Sequence, residues 1–392
     1  MRVALICFLA IVCDGLDVSL FGTLLPAIMK DMKMNPADAG LLASAGHVGA
    51  VGGSILFGMA ADAIGRKRML LVGVTLFVVF TAACGLARGF GDFMAYRLIA
   101  GIGLAGIVPI AVALVFEHAP GPRKAMVSSM AYMGIAVGVL LSATLAMALL
   151  PTMGWRAILT GTFACIVLVP VIMLWIPESR AMPGKAPVVK VPLARLFQGG
   201  HARNTVLLGT ALFCLMLISV TLTTWIAQLM LQRGFSMTTG ISFILVFSLA
   251  NFISTPLAGW MADRMGYRQV FGLYMPILFV SISLIGVVPN STAALACMFC
   301  AGFGAMGTTC LLLPYVGSLY PPAFRSSAMG VIYGIGRTGP IVGPAIVGLM
   351  LAAGASLPLI LIGIAAPSLV ALIAFVLVRP VPTSLESLES NQ

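Results

Sequence analysis

The chain has 392 residues, of which 60% are hydrophobic and only 8% are charged, and its formal net charge is +11. A soluble domain contains about 25% charged residues. The composition therefore excludes a soluble globular protein and indicates a membrane protein. Transmembrane β-barrels show alternating segments of about ten residues. Here uninterrupted apolar runs of about twenty residues recur, and these predict membrane-spanning helices.

Hydropathy predicts twelve such helices, and the first is retained rather than cleaved as a signal peptide, because two aspartates interrupt its apolar core. The predicted fold is therefore an all-α membrane protein. The predicted spans are 3–27, 38–61, 69–87, 93–116, 125–150, 156–176, 205–231, 238–262, 269–288, 292–319, 327–352 and 357–378.

Basic residues are distributed unevenly over the loops between these spans. With the N-terminus inside, fifteen of the 22 Lys and Arg residues fall on the cytoplasmic side and five outside. This bias predicts that both termini are cytoplasmic, and it explains the positive charge without a nucleic-acid partner. The remaining two, Arg97 and Arg337, lie within spans.

In the first span, the stretch "IVCDGLDVSLFG" contains Asp14 and Asp17. A spacing of three residues puts both on one helical face, with Cβ atoms about 5–6 Å apart. Asp14 lies about 16 Å from the start of the span, near the middle of the bilayer. Two carboxylates this close in a low-dielectric site should not both ionise easily, so we expect them to carry protons as a coupled pair. The alternative is simple hydrogen bonding to Ser19 or Thr23.

The second span contains a single histidine and ends in a charged turn. His47 is either a hydrogen-bonded core residue or part of the substrate and proton path. In the turn, glycine permits close backbone approach, while the charged side chains can form ion pairs between half-bundles or simply mark a cytoplasmic loop. The candidate gating residues of this turn, "GMAADAIGRKR", are Gly58, Asp62, Gly65, Arg66 and Arg68.

In the fourth span, Arg97 is followed by the small residues of "AGIGLAG", which let helices approach closely. A charge within a span is by default functional, so we predict that Arg97 takes part in proton coupling. A side chain snorkelling to the outer interface is the alternative. At the end of this span, Glu117 forms either a gating ion pair with nearby basic residues or a solvated interfacial cluster.

An internal repeat divides the chain into six-helix bundles at 1–176 and 205–392, joined by a proline-rich, basic linker at 177–204. "GMAADAIGRKR" matches "GWMADRMGYRQ" at an offset of 201, which adds Asp263 and Arg264 to the gating candidates, and "AGIGLAG" matches "AGFGAMG" at the same offset. Parallel repeats of this kind form a substrate site between the halves. The four intramembrane charges, at 14, 17, 97 and 337, are not repeated and are therefore the best candidates for chemistry.

Arg337 lies twelve residues past Arg325, near mid-membrane. Its guanidinium suits bidentate binding of a carboxylate. Arg337 is expected either to bind a substrate carboxylate or to pair with the aspartates when the site is empty. Asp17 is a further candidate for substrate binding. A third possibility is that Arg337 only holds helices together. The candidate ring-stacking surfaces for an aromatic substrate are Phe213, Trp225 and Tyr315, which equally suit helix packing.

Several of these motifs resemble known families. The turn at 58–68 and the Arg97-x-x-x-Gly-x-Gly pattern resemble signatures of the major facilitator superfamily, although Ala63 stands where a basic residue is usual. "DGLDVSLFGTLLPAI", "ALVFEHAP" and "YPPAFRSSAMGVIYGIGRTGPIVGP" are similar to stretches of the aromatic acid:H+ symporter family, with Leu16 where an aromatic residue is common. In that family the aspartate pair is implicated in transport, and Arg97, Glu117 and Arg337 occupy matching positions.

The resemblance implies a monomeric importer in the bacterial inner membrane. It would move benzoate, hydroxybenzoate, protocatechuate or gallate with protons by alternating access, without a cofactor or metal. A drug/proton antiporter is the main alternative, but such exporters carry Gly-Pro in the fifth span, whereas here the Gly-Pro pairs are in the eleventh. A receptor would need a larger partner-binding segment than 177–204. A primary pump is disfavoured because the sequence contains no G-x-x-x-x-G-K-[ST] nucleotide-binding loop. An enzyme is disfavoured because the spans show no nucleophile, base and oxyanion arrangement and no metal-ligand cluster.

Overall fold

The computed structural model describes residues 2–118, 133–176, 199–320 and 325–379. The long elements in these ranges are all helices, and one 3-10 segment, Thr162–Val167, follows α5. The helices are α1 Arg2–Asp31, α2 Pro36–Ile64, α3 Arg66–Cys84, α4 Phe90–His118, α5 Gly134–Gly161, α6 Leu168–Trp175, α7 Gly199–Gln232, α8 Met237–Met265, α9 Tyr267–Ile285, α10 Ser291–Leu319, α11 Arg325–Gly336, α12 Gly339–Ala352 and α13 Leu357–Leu377.

These helices supply the twelve predicted spans. Within the described residues, ten segments are long and apolar enough to cross a membrane. One of them, Gly134–Trp175, contains two successive spans, because Gly154 with φ 73° interrupts the helix. The helix Pro36–Ile64, with 29 residues, supplies the remaining span. The predicted fold class is confirmed.

Two boundaries differ from the sequence prediction. Helix α7 begins at Gly199, so the last residues of the predicted linker are helical; residues 177–198 lie outside the described ranges. The predicted eleventh span is two helices, because α11 ends at Gly336 and α12 begins at Gly339.

In the described part of the chain, the two halves meet mainly through three helix pairs: α1 with α7, α2 with α12, and α5 with α8. We call the end at which α1 begins and α13 ends the terminal end. At the opposite end, α2 and α12 approach closely because glycines face each other. A Cβ on Gly40 would lie 2.6 Å from the Pro344 carbonyl oxygen, and one on Gly348 would lie 2.5 Å from that of Pro36. This contact holds the halves together at the opposite end.

The repeated turn uses its glycine for backbone conformation. Gly65 precedes α3 with φ 106°, and its repeat equivalent Gly266 precedes α9 with φ 85°. Residues other than glycine rarely adopt these angles. Among the described residues, no heavy atom lies within 4 Å of a Cβ built at either position. The prediction of close backbone approach is therefore wrong for these two glycines, which instead allow a sharp turn between spans.

Candidate functional site

A cavity of about 230 Å³ lies between the two halves. It brings together five residues that the sequence singled out, which come from three helices of the N-terminal half and from the break after α11 in the C-terminal half. Most of its other lining residues are apolar. The five are Asp14 and Asp17 from α1, His47 from α2, Arg97 from α4, and Arg337 just after α11.

Asp17 is held by two donors at the wall of this cavity. Arg97 Nη1 lies 3.1 Å from each carboxylate oxygen, and the Thr81 hydroxyl donates to Oδ1 at 3.1 Å. Asp17 is 2% exposed and Arg97 is 6% exposed. The expected alternative, in which Arg97 snorkels to the interface, is therefore wrong: its charge is neutralised inside the N-terminal half.

The glycines around Arg97 make room for this ion pair. Helices α2 and α4 touch where Gly101 meets the backbone of Gly46. A Cβ on Gly46 would lie 3.0 Å from Arg97 Nη2, so the guanidinium occupies the space that a side chain would take. In the described part of the chain, Arg97 Nε has no hydrogen-bond partner. Helix packing thus fixes the pair while leaving one donor of the guanidinium unused.

Asp14 lines the same cavity but has a different environment. Among the described residues, no hydrogen bond reaches its carboxylate, and the other charged groups that line the cavity are Asp17, Arg97 and Arg337. The expected hydroxyl partners do not serve either aspartate: Thr23 donates to the Leu20 carbonyl at 2.8 Å. The structure therefore distinguishes a fixed carboxylate from one that faces open space.

Arg337 lies at the break between α11 and α12. Because Pro340 has no N–H, the Gly336 carbonyl lacks its usual helical donor, and the Thr338 hydroxyl donates to the Ile335 carbonyl at 2.7 Å. The Arg337 guanidinium lies 5.3 Å from the ring centre of Tyr333, one turn earlier. Irregular backbone at membrane depth is tolerated where it lines a cavity. The break thus places an arginine at the cavity wall.

A second cavity of about 380 Å³ adjoins the first on the terminal side and has mainly apolar walls. It extends toward Gly259 and Pro314, which lie near the terminal ends of α8 and α10. We call it the vestibule. The residues that line both cavities are Ile135, Met216, Met306, Thr309 and Tyr333. Among the described residues, the charged cavity is thus continuous with the vestibule on the terminal side, and α2 and α12 are in contact toward the other end.

The predicted ring-stacking residues do not line either cavity. Trp225 is fully buried and donates its indole N–H to the Pro344 carbonyl at 3.0 Å. Tyr315 packs against Tyr267 and Phe375, at ring-centre distances of 5.2 and 4.8 Å. Both side chains join helices of the C-terminal half, and their role in substrate binding stays a prediction. Phe213 is likewise absent from both cavity walls.

The sequence analysis missed three residues at or beside the cavity: Thr81, Ser219 and Tyr333. Tyr333 had a detectable signal, because it precedes Arg337 by four residues and so shares its helical face. Thr81 and Ser219 had none, since a hydroxyl in an apolar helix usually bonds its own backbone. Within the described ranges, no three His, Cys, Asp or Glu side chains lie close enough to hold a metal ion.

The predicted gating residues lie at the terminal ends of α2, α3 and α8, and their gating role stays a prediction. Arg66 and Arg68 begin α3, and the neighbouring Lys67 donates to the Met173 carbonyl at 2.8 Å. Arg264 lies over the Trp260 ring at 4.2 Å. Asp263 is exposed. The backbone of Gly58 is helical, but the side chains of Asp62 and Glu117 lie outside the described part of the molecule.

Comparison with known proteins decides the family. The family model of the Major Facilitator Superfamily matches the chain twice, over residues 7–247 and 242–392. The chain belongs to the major facilitator superfamily. A benzoate transport protein of Acinetobacter baylyi is 27% identical over 387 residues, covering 89% of this chain and 83% of the relative. A 3-(3-hydroxy-phenyl)propionate transporter of Escherichia coli is 31% identical over 353 residues, covering 89% and 86%.

Solved structures agree on the fold. A bacterial homolog of the human lysosomal transporter Spinster, in an inward-facing and occupied conformation, superimposes with a TM-score of 0.81 at 16% identity, covering 96% of both chains. The predicted superfamily and the resemblance to aromatic acid transporters are confirmed, and this superfamily member is a multi-pass membrane transporter rather than an enzyme.

Proposed function

We propose that this chain is a proton-coupled importer of small aromatic carboxylates that works by alternating access. The observation that carries the proposal is the central cavity, where one arginine faces one carboxylate that no protein donor in the described residues holds. The named relatives, which transport benzoate and hydroxyphenylpropionate, support the substrate class.

The substrate carboxylate binds to Arg337. A guanidinium offers two parallel N–H donors to a carboxylate, and burial strengthens that contact. His47 lines the same cavity and lies within electrostatic range of Arg337, so its imidazole can donate a further hydrogen bond. Tyr333, whose ring is beside the guanidinium, offers an aromatic face to the substrate ring.

The coupling proton binds to Asp14. Asp17 already accepts hydrogen bonds from Arg97 and Thr81, which stabilise its charged form. Asp14 has no such donor among the described residues, and an unpaired carboxylate in a low-dielectric cavity is costly to keep ionised. The two aspartates therefore have different roles. Asp17 pairs with Arg97 and stabilises the site, and Asp14 gains and loses the proton.

The asymmetry of the cavities supports alternating access. The vestibule opens toward the terminal end, which the basic loops assign to the cytoplasm of a bacterial cell, with both chain termini on that side. The Gly40 and Gly348 contact closes the other end. This arrangement is the inward-open state of a monomer that uses the proton as its coupling ion and requires no cofactor.

The decisive experiment is uptake of labelled benzoate and 4-hydroxybenzoate by cells expressing the full chain, with and without a protonophore. We expect accumulation against a gradient that the protonophore abolishes. Asp14→Asn should lose accumulation but still exchange external for internal substrate, because substrate binding survives without proton release. Asp31→Asn is the matched control, since Asp31 is the last residue of α1, away from the central cavity, and pairs with Arg156.

Substrate accumulation that is unchanged by the protonophore would refute proton coupling. Proton-driven extrusion of the same compounds would instead identify an antiporter. Full accumulation by Asp14→Asn would remove that residue from the proton path.

A further inference from the structure

Ser219 presents an unused hydroxyl to the central cavity. It lies on α7 in the C-terminal half, and its neighbours at the cavity wall, Met216 and Val220, are apolar. Among the described residues, its Oγ makes no hydrogen bond. By contrast, Thr223, one turn later, donates to the carbonyls of residues 219 and 220. A hydroxyl at a low-polarity wall without a partner is unfavourable unless a ligand or water supplies one.

The packing of α7 against α12 fixes the height of Ser219 relative to Arg337. These helices run side by side in the same direction: Gly339 faces Phe213 and Leu217, and Gly343 faces Leu217 and Thr221. Ser219 is therefore level with Gly343, six residues beyond Arg337. At a rise of 1.5 Å per residue, the two positions are separated by about 9 Å along the helix axes.

The charged cavity lies between them. Its volume is about 230 Å³, and the vestibule continues it on the terminal side. The charged cavity suits a single ring, bound with one polar substituent toward each of the two positions. A ring substituent adjacent to the carboxylate would stay beside Arg337 and could not approach Ser219.

We propose that Ser219 is a specificity residue that binds a ring hydroxyl of the substrate, on the side of the ring away from the carboxylate. The inference rests on the proposed function and narrows it to monocyclic aromatic acids hydroxylated at the 3 or 4 position. Arg337 holds the carboxylate, the ring spans the cavity, and the hydroxyl of the substrate exchanges a hydrogen bond with Ser219 Oγ. A site that hydrogen-bonds a substrate hydroxyl discriminates against the analogue that lacks it.

The test is a comparison of initial uptake rates for benzoate and its 2-, 3- and 4-hydroxy derivatives in cells expressing the full chain. The wild type should prefer the 3- or 4-hydroxy acid over both benzoate and the 2-hydroxy acid. In Ser219→Ala, the efficiency ratio of the preferred hydroxy acid to benzoate should fall about fivefold, which corresponds to one neutral hydrogen bond. Ser219→Thr retains the hydroxyl and should restore most of the ratio.

Ser283→Ala is the matched control, because Ser283 lies on α9 and donates to the Phe279 carbonyl at 2.8 Å, away from the cavity. Its ratio should equal that of the wild type. An unchanged ratio in Ser219→Ala, or a wild type that prefers benzoate or the 2-hydroxy acid, would overturn the role of Ser219 while leaving aromatic acid transport standing. If the wild type takes up none of the four acids, the proposed function itself fails.

Discussion

The two halves of the molecule differ sharply at three buried positions that the internal repeat makes equivalent. In the N-terminal half these positions carry the ion pair and its hydroxyl donor, whereas in the C-terminal half they carry fully buried hydrophobic side chains of the main core cluster. The equivalent pairs, at the offset of 201, are Asp17 and Ile218, Thr81 and Ile282, and Arg97 and Met298.

This difference shows that the fold does not need charge at these positions, because the same helix arrangement forms in the C-terminal half with a hydrophobic core. Replacing a buried ion pair by well-packed hydrophobic residues is often neutral or stabilising, whereas removing one partner alone is strongly destabilising. The ion pair of Asp17 and Arg97 is thus better explained by transport than by stability. The equivalent residues of the C-terminal half, Ile218 and Met298, show which hydrophobic side chains could replace it.

The largest effect is expected from breaking the pair on one side only. Arg97→Met leaves Asp17 buried without its cation, and we expect the free energy of unfolding to fall by about 3–5 kcal/mol. The double variant Asp17→Ile with Arg97→Met copies the C-terminal half and should recover most of that stability. Thermal unfolding of the detergent-purified proteins measures both.

Neither variant should accumulate substrate in the uptake assay. A stable double variant that still accumulates substrate in a protonophore-sensitive manner would show that the pair is only structural. A double variant no more stable than Arg97→Met would show that the two halves do not share an interchangeable core at this point.

The second comparison concerns the arginine that the C-terminal half contributes. Arg337→Lys keeps the positive charge but removes the two-pronged donor geometry, so we expect the apparent KM for an aromatic carboxylate to rise about tenfold. Arg268→Lys is the matched control, because Arg268 caps the Val378 carbonyl at the terminal end. Equal KM values for both variants and the wild type would mean that Arg337 does not bind the carboxylate.

Sequence patterns predicted the architecture and most of the charged site. Asp14, Asp17, Arg97 and Arg337 were recognisable because a charge in an apolar span is rare and because the repeat does not duplicate them. Their pairing was not recognisable: Arg97 is eighty residues from Asp17, and only the packing of α1 against α4 brings the two together.

Contacts at the helix ends show why such pairings cannot be predicted from the sequence. Arg156 donates to the carbonyls of Gly85 and Ala87 after α3. The corresponding end of α9 is capped by Arg233, which donates to the Ile285 and Val288 carbonyls and follows α7 rather than lying in the sixth span of its half. The repeat conserves the helix ends that need donors but not the position of the donor, so a search by offset misses the second arginine.

The smallest effect is expected at the third equivalent position, where Thr81 stands opposite Ile282. Thr81→Val removes one hydrogen bond to the Asp17 carboxylate but keeps the ion pair, so the free energy of unfolding should fall by about 1.5–3 kcal/mol. Thr308→Val is the control, because that buried hydroxyl donates only to carbonyls of its own helix, and its loss should cost less. Thermal unfolding compares the two. If Thr81→Val is no less stable than Thr308→Val, the Thr81 hydroxyl is not needed to hold Asp17, and Arg97 alone stabilises the Asp17 carboxylate.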